Sequence, residues 1–278
     1  MSKIVYIASL SHSGSTLFDL LLGSNSRIIS MGEIHSAIKR FDEPQRICTC
    51  GKEIEECIIW GGLRKILRKK ARYNYAYAYC KLLKIVDEVY GKDKFIVDSS
   101  KNLSTLKYLI RNNIKDMHIL FLIKDIRSYV LSQSRRKYYK KLMDKEGWRR
   151  IYRTSLVYNI LNWYKNNKKI KYFLEENRLK YFQLGYEELC FKPEVILRQV
   201  SDFIDIKFEE RMLKPKNSES HIIRGNELRY NNEKLEGIYY DNRWFYDKKY
   251  FFLSPFFLPF IDWNNNNVYS NIKLKTEL

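Results

Sequence analysis

The first thirty residues run from an apolar stretch through small polar residues into a second apolar stretch. Residues 3–9 (Lys-Ile-Val-Tyr-Ile-Ala-Ser) carry the short apolar run that is typical of a buried parallel strand. The small polar residues 11–16 predict a loop that turns into a helix. We expect this helix to continue over Leu17 to Leu22 and to end at Gly23.

The same alternation continues along the chain. Four further apolar runs predict strands over Arg27–Met31, Phe95–Asp98, Ile119–Ile123 and Lys180–Leu184. Helical patterns lie over Asn102–Arg111, Ser128–Lys137 and Thr154–Phe173. Strands that alternate with helices predict an α/β fold with a central, doubly wound parallel sheet flanked by helices.

Two segments interrupt this alternation. Residues 36–92 contain a cysteine-rich stretch and then a helical stretch rich in Tyr and Lys, and residues 136–178 form a long basic helical region. Neither segment has a clear linker on both sides, so we predict a single domain over residues 1–278 with two helical insertions. The run Asn264–Asn267 predicts a loop, and residues 264–278 a poorly ordered tail.

Composition and charge narrow the class of protein. With 278 residues, of which 45% are hydrophobic, the chain can bury a large core, which excludes disorder as its main state. The 51 Lys and Arg residues exceed the 32 Asp and Glu residues by 19 charges. Such an excess indicates an anionic partner, namely a nucleotide, a polyanionic glycan, nucleic acid or a membrane surface, and does not choose among them.

No apolar run approaches the ~18–20 residues that span a bilayer. The longest, Tyr250–Trp263, is broken by prolines and polar residues, and Ile4–Ala8 is too short for the apolar part of a signal peptide. We therefore expect a cytoplasmic chain. For Phe251–Phe260, packing onto the core is favoured over contact with a membrane surface.

The loop over residues 11–16 has the composition of a site for phosphate or sulfate. Backbone N–H groups at a helix N-terminus attract anions, Gly14 allows close approach, and Ser13, Ser15 and Thr16 add hydroxyl donors. The loop lacks the first Gly and the Lys of a Walker A motif, so transfer of the ATP γ-phosphoryl group is disfavoured. A capped helix after a tight turn accounts for the pattern equally well.

A second candidate anion site follows a later strand. Lys124 stands at the carboxyl end of the strand Ile119–Ile123, where ligands of open α/β sheets bind. Ser132 follows eight residues later, about two helical turns on, and can face the same crevice. Together the cation and the hydroxyl can hold a second phosphate, although each taken alone is equally explained as a surface residue.

The ordered pair of motifs resembles the sulfotransferases that use 3′-phosphoadenosine 5′-phosphosulfate (PAPS). In that family Arg/Lys-Ser-Gly-Ser/Thr-Thr binds the 5′-phosphosulfate, and a later motif like Arg-Asp-Pro-Arg…Ser binds the 3′-phosphate. Here these motifs read Ser-His-Ser-Gly-Ser-Thr-Leu over residues 11–17 and Lys-Asp-Ile-Arg…Ser over residues 124–132. Similar pieces follow in order over residues 31–33, 48–60, 97–101, 186–189 and 221–229.

This resemblance implies a P-loop-NTPase-like sulfotransferase fold, with PAPS as donor, 3′-phosphoadenosine 5′-phosphate as product and no metal. The residues implied in nucleotide binding are Ser11, His12, Ser13, Gly14, Ser15, Thr16, Lys124, Ser132, Arg224 and Gly225. Two departures from the family matter. His12 replaces the usual Arg or Lys near the bridging oxygen, and its charge depends on pH. Lys124 replaces Arg and loses the bidentate fork.

The resemblance also implies a catalytic base. Glu33 follows the second strand closely, so it lies at the same edge of the sheet as the loop and is the first candidate to take the acceptor's proton. Asp98 is the alternative base and His35 a further one. Lys101 is expected to touch the nucleotide or the acceptor. Two arginines, Arg127 and Arg229, are expected to make secondary or substrate contacts.

The group that accepts the sulfuryl is expected to be a hydroxyl, with an amine as the less favoured choice. The acceptor molecule is expected to be a carbohydrate or a lipid-linked glycan. The alternative functions are a non-catalytic protein that binds PAPS or its product, motivated by His12, and a nucleic-acid-binding protein, motivated only by charge and aromatic content. No nucleic-acid partner is expected.

The cysteines add a separate question. Cys48, Cys50 and Cys57 form C-x-C-x₆-C without a fourth ligand at the usual zinc spacing. A disulfide, reduced thiols packed near Trp60 and a metal site all remain open at this point.

Overall fold

A central five-stranded sheet organises the chain, in a computed structural model that describes residues 3–41, 47–69, 74–114, 116–134, 156–246 and 254–271. Its strands are β1 (Lys3–Ser9), β2 (Ile28–Ser30), β3 (Phe95–Lys101), β4 (Met117–Ile123) and β5 (Tyr181–Gly185). Their order is β2-β3-β1-β4-β5, and every neighbouring pair is parallel. The predicted α/β fold with a central parallel sheet is confirmed.

Helices connect and flank the strands. Within the described residues they are α1 (Ser15–Gly23), α2 (Ile34–Lys39), α3 (Trp60–Arg68), α4 (Tyr75–Tyr90), α5 (Leu103–Arg111), α6 (Ile126–Ser134), α7 (Leu156–Glu176), α8 (Tyr186–Phe191), α9 (Pro193–Ile204), α10 (Asn232–Leu235) and α11 (Leu258–Val268). Short 3₁₀ turns lie at Glu210–Leu213, Pro215–Asn217, Glu227–Tyr230, Arg243–Tyr246 and Ser254–Phe256. The five predicted strands are all present, with bounds that shift by at most three residues. The end of the helix predicted over Ser128–Lys137 lies outside the described residues.

The sheet is buried on both faces, which explains why its strands read as continuous apolar runs. On one face Val5 and Ile7 of β1 pack in a cluster with Phe18 of α1 and Ile196 of α9. On the other face Tyr6 joins the larger cluster, to which α3, α4, α5 and α7 contribute. Cys48, Cys57 and the helices α3 and α4 therefore pack on one side of the sheet.

The loop predicted at Asn264–Asn267 is wrong, because these residues lie within α11. Asn264 is completely buried, and its side-chain carbonyl accepts a hydrogen bond of 2.9 Å from the backbone N–H of Ile126. Its amide donates to Oδ2 of Asp125 at 2.9 Å. These tertiary partners stabilise a helix that the weak helix propensity of Asn does not predict. Residues 272–278 of the predicted tail lie outside the described residues.

The apolar segment near the C-terminus divides between core and surface. Phe257 is buried, whereas Phe256 and Leu258 are 52% and 69% exposed. Phe260 packs against Tyr164 of α7, with their ring centroids 5.1 Å apart. Residues 251–253 lie outside the described residues.

No helix in the described parts of the chain is long and apolar enough to cross a membrane.

Two adjacent glycines of α3 provide a matched test of the packing of the cysteine-rich segment. A Cβ on Gly61 would lie 2.3 Å from the backbone oxygen of Glu55, whereas a Cβ on Gly62 would make only ordinary contacts of 3.6 Å with Ile85. Gly61→Ala should lower the free energy of unfolding by ~1–3 kcal/mol through overpacking. Gly62→Ala should raise it by ~0.5–1 kcal/mol through helix propensity. Urea unfolding of both variants measures the two shifts, and equal shifts would contradict this packing.

A candidate active site at the carboxyl edge of the sheet

The register of the sheet brings the two sequence-predicted anion motifs together. Ser9, the last residue of β1, pairs with Leu122 of β4. The loop that follows β1 therefore lies beside Lys124, which comes directly after β4. A hydrogen bond of 3.1 Å from the side-chain amide of Gln133 to the backbone oxygen of Ser11 joins the loop to α6.

Gly14 sets the geometry of the loop. It is the N-cap of α1 with φ 89°, in the left-handed region that favours glycine. A Cβ at this position would lie 2.2 Å from Cδ2 of Tyr186, so the ring of Tyr186 occupies the space beside the backbone. Ser13 and Ser15 are buried, while Ser11 is exposed. The loop thus presents the N-terminus of a nine-residue helix at the sheet edge.

Lys124 lies beneath this loop and is almost completely buried, with 4% of its surface exposed. Its ammonium donates a hydrogen bond of 3.1 Å to Ser132 Oγ, and lies 4.7 Å from the ring centre of Tyr186. Burial lowers the pKa of Lys124, and the charge of Glu187 opposes that shift. The structure therefore brings the predicted pair Lys124 and Ser132 together and adds Tyr186, whose role the sequence did not single out.

The sequence predicts a secondary or substrate contact for Arg127. In the structure Arg127 forms a salt bridge with Asp125. Its Nε and an Nη group donate to the two carboxylate oxygens of Asp125 at 2.9 and 2.7 Å. Asp125 also accepts from Asn264 and, at 3.1 Å, from the hydroxyl of Tyr269. Arg127 lowers the pKa of Asp125 against the opposing effect of burial. This buried network fixes the turn that carries Lys124.

Glu33 and Lys101 meet on the other side of the loop. The carboxylate of Glu33 forms a 2.6 Å salt bridge with the ammonium of Lys101, and the two side chains are 28% and 12% exposed. Glu33 is the N-cap of α2, and the preceding Gly32 accepts a 2.9 Å hydrogen bond from Ser99 of β3. Neighbouring parallel strands thus bring together two residues that lie 68 positions apart.

Strained backbone accompanies two of the candidate residues. His12 and Lys101 both adopt φ 70°, although neither is a glycine. Residues held in this region cost of order 1–3 kcal/mol and cluster at functional sites. Both residues lie at the carboxyl edge of the sheet, His12 in the loop after β1 and Lys101 at the end of β3.

Asp98, the alternative base, belongs to the core. It has no exposed surface, and its carboxylate accepts hydrogen bonds from Ser100 and, at 3.0 Å, from the hydroxyl of Tyr79. The hydroxyl of Ser100 in turn accepts a 2.9 Å hydrogen bond from the backbone N–H of His35. With no surface open to an acceptor, Asp98 holds the start of α2, next to Glu33, rather than contacting a substrate.

His35 lies close to this network. Its ring packs edge-on against Tyr75 at 4.9 Å, and burial lowers the pKa of the imidazole.

The segment with Arg224 and Gly225 reaches the same edge. The backbone oxygen of Arg224 accepts a hydrogen bond of 3.4 Å from the N–H of Glu33. Arg229 is buried and donates to the backbone oxygen of Asn226 at 2.8 Å, while its Nε has no partner among the described residues. These contacts place the segment next to Glu33 in space, nearly two hundred residues later in the chain.

A cavity of about 300 Å³ opens beside the loop. Its lining combines polar, basic and aliphatic side chains: Ser9, Leu10, Asn102, Leu103, Ser104, Lys107, Asn166, Lys169 and Ile170. Ser9 and Leu10 precede the anion loop, and Asn102 follows Lys101, so the cavity adjoins the site. The sequence did not predict α7 as part of its wall.

A protein-family comparison identifies the class of protein to which this arrangement belongs. The model of the sulfotransferase family matches residues 5–210, a span that includes the loop, Glu33, Lys101, Lys124 and residues of all five strands. The chain belongs to the sulfotransferase family. No curated protein matches this sulfotransferase chain.

Solved structures of other sulfotransferases are similar to it. The sulfotransferase domain from the Curacin biosynthetic pathway is 21% identical over 81% of this chain and 79% of that one, with a TM-score of 0.44. The corresponding domain from the Synechococcus PCC 7002 olefin synthase is 17% identical over 88% and 82%, with a TM-score of 0.45. A sulfotransferase from Alicyclobacillus acidocaldarius is 16% identical over 76% and 88%, with a TM-score of 0.41.

The burial of Asp98 predicts a pH dependence of stability. Burial raises the pKa of Asp98 from 3.8 to about 6, so the folded chain holds the proton more tightly than the unfolded chain. The resulting stabilisation is complete below about pH 4 and is lost as the pH rises through about 6. The free energy of unfolding of Asp98→Asn, relative to wild type, should therefore increase by roughly 2–3 kcal/mol between about pH 4 and 7.

Urea unfolding over this pH range measures the effect, with the exposed Asp93→Asn as the matched control. A difference between Asp98→Asn and wild type that does not change with pH would mean that Asp98 ionises normally.

Proposed function

We propose that this sulfotransferase transfers the sulfuryl group of PAPS to a hydroxyl of an acceptor. The main support for this proposal is the buried pair of Lys124 and Ser132 beneath the N-terminus of α1. Among the described residues no carboxylate lies within salt-bridge distance of the Lys124 ammonium, whose contacts are a hydroxyl and an aromatic ring. A buried cation that forms no salt bridge with the described residues fits a phosphate-sized anion.

The proposed nucleotide site uses both anion motifs. The backbone amides of the loop, with Ser13, Ser15 and Thr16, would hold the 5′-phosphosulfate at the positive end of the α1 dipole. Lys124 and Ser132 would hold the 3′-phosphate, with Arg224 and Gly225 completing the binding surface from the far segment. Even a Cβ at position 14 would collide with Tyr186, so Gly14 allows this ring to pack against the backbone of the loop.

Glu33 is proposed as the base and Lys101 as the residue that orients it. When bound, the donor supplies a sulfur centre: the acceptor oxygen bonds to sulfur, the bond from sulfur to the bridging oxygen breaks, and the 5′-phosphate leaves with that electron pair. Glu33 accepts the acceptor's proton. The 2.6 Å salt bridge to Lys101 holds the carboxylate in one direction. His12, in the position of the family's cation, would donate to the leaving oxygen.

The acceptor is proposed to enter the cavity of about 300 Å³ beside the loop. Ser9, Asn102 and Asn166 on its wall offer hydrogen bonds to hydroxyl groups, and Lys107 and Lys169 offer positive charge. This lining supports a polar acceptor such as a carbohydrate or the sugar of a lipid-linked glycan. A screen of glycan acceptors with labelled PAPS tests this proposal directly.

Nucleotide binding gives the first test. Lys124→Ala and Ser132→Ala should each weaken binding of 3′-phosphoadenosine 5′-phosphate by ~1–3 kcal/mol, because each removes a contact to the 3′-phosphate. Binding of adenosine 5′-phosphosulfate, which lacks that phosphate, should change little. Calorimetry with both nucleotides measures the difference, and the exposed Lys207→Ala is the control for a lost surface charge.

Equal losses for the two nucleotides would place Lys124 and Ser132 away from the 3′-phosphate. Binding without turnover of any acceptor would favour a non-catalytic nucleotide-binding protein.

The base assignment gives the second test. Glu33→Gln keeps the size of the side chain but cannot take a proton, so turnover should fall by ~10²–10⁴-fold. Nucleotide affinity should stay within about a factor of three of wild type. Steady-state kinetics and calorimetry measure the two effects, and the exposed Glu210→Gln should leave both unchanged. Full activity of Glu33→Gln would overturn the assignment.

The role of His12 gives the third test. An imidazole loses its charge near neutral pH, whereas a guanidinium keeps it. If His12 acts as a cation, the wild-type rate falls as the solution becomes alkaline, and His12→Arg should remove this fall. Rates measured between about pH 5.5 and 9 compare the two profiles. Identical profiles would show that the charge of His12 does not contribute to the reaction.

A further inference from the structure

Three cysteines and one histidine meet outside the candidate active site. The Sγ atoms of Cys48, Cys50 and Cys57 and a ring nitrogen of His221 lie within 4.8 Å of one another. Cys48, Cys57 and His221 are buried, whereas Cys50 is exposed. The sequence did not identify this fourth ligand, because His221 follows Cys57 by 164 residues.

The spacing of these atoms fits coordination to a single ion. Cys48 Sγ lies 3.7 Å from Cys57 Sγ, and His221 Nδ1 lies 3.3 Å from Cys57 Sγ and 3.9 Å from Cys48 Sγ. A tetrahedral zinc ion with ordinary bond lengths places two sulfur ligands about 3.8 Å apart, and a sulfur and a nitrogen about 3.6 Å apart. A disulfide would need its sulfurs at about 2.05 Å.

The histidine is held in the orientation that a metal ligand needs. Its Nε2 lies 2.6 Å from the hydroxyl of Tyr90. In the tautomer that a metal ligand needs, Nε2–H of His221 donates to this hydroxyl. The lone pair of Nδ1 then faces the sulfurs. Metal-ligating histidines characteristically donate their second ring N–H to such a partner.

Backbone hydrogen bonds hold the turn that carries the first two cysteines. Cys48 donates its N–H to the backbone oxygen of Lys52 at 2.9 Å, and the N–H of Gly51 donates to the backbone oxygen of Cys48 at 2.8 Å. Gly51 has φ 83°, so it closes this turn in the left-handed region. Thr49 exchanges hydrogen bonds of 3.1 and 2.8 Å with Ile222, next to His221. These contacts place the cysteine turn next to His221.

We propose that Cys48, Cys50, Cys57 and His221 bind one Zn²⁺ ion in a closed, structural site. Three thiolates and one imidazole in tetrahedral arrangement are a donor set that zinc takes, whereas Mg²⁺ and Ca²⁺ prefer oxygen ligands. All four positions are filled by protein atoms, so the ion has no open position for a substrate and serves stability. The thiols release their protons to solvent on binding. This proposal does not depend on the proposed transfer reaction.

The site would connect the cysteine loop to the active-site edge. The N–H of His221 donates to the backbone oxygen of Ser30 in β2 at 2.8 Å, and Arg224 follows three residues later beside Glu33. An ion bound to His221 therefore anchors the start of the segment that ends at Arg224. Loss of the ion should loosen this segment as well as lower the melting temperature.

Metal analysis of the full chain, purified without a metal-affinity column, tests the proposal. Mass spectrometry of the elements should find about one zinc per chain. A zinc chelator should lower the melting temperature, and added Zn²⁺ should restore it. After exchange with Co²⁺, an absorption band from thiolate to cobalt should appear. Zinc-free protein, iron in place of zinc, or a mass lower by two hydrogens from a Cys48–Cys57 disulfide would each overturn the proposal.

Variants separate the ligands from the other cysteines. Cys50→Ala alters an exposed side chain, so the chain should fold and yet hold less than about a tenth of the wild-type zinc. Tyr90→Phe removes only the hydroxyl and should weaken zinc affinity by ~10–100-fold. Cys80→Ala, which changes a cysteine outside the cluster, should keep the full zinc content. Unchanged zinc in Cys50→Ala would exclude Cys50 as a ligand and with it the closed site.

Discussion

The parallel pairing of β1 with β3 on one side and β4 on the other is the constraint on which the site depends. This central strand fixes the ends of three strands at one edge, where the loop over residues 11–16 follows β1, Lys101 ends β3 and Lys124 follows β4. Parallel strands end on the same edge because each connection returns over a helix. The order of the strands therefore places these residues at one edge of the sheet.

A second layer of buried polar contacts turns this placement into defined geometry. Asp125 accepts hydrogen bonds from Arg127, Asn264 and Tyr269, so the C-terminal helix α11 supports the turn that presents Lys124. Asp98 supports the start of α2 through Ser100 in the same way. Such networks are costly if one member is lost, since the remaining groups are buried without partners. Their presence behind the site explains why charged residues lie in the core.

The segment over residues 219–225 connects two parts of the molecule that the sequence keeps apart. It pairs with the end of β2, contacts the cysteine loop through Thr49 and Ile222, and delivers Arg224 beside Glu33. The cysteine-rich insertion therefore covers one face of the sheet and also contacts this segment. The segment in turn reaches Glu33 at the carboxyl edge of the sheet.

The sequence by itself determined the α/β fold, the five strands and the two anion motifs. The periodic spacing of apolar residues, the apolar runs and the loops of small residues that reveal them are all local signals. It also determined the family, through motifs that follow one another in order. Only the tertiary structure decided three contacts. They are the salt bridge of Glu33 with Lys101, the ring of Tyr186 beside Gly14, and the hydrogen bonds of Asn264. Each joins residues that are distant in sequence and individually unremarkable. The run of asparagines predicted a loop because Asn is a weak helix former, and buried hydrogen-bond partners supplied by Asp125 and Ile126 outweighed that preference.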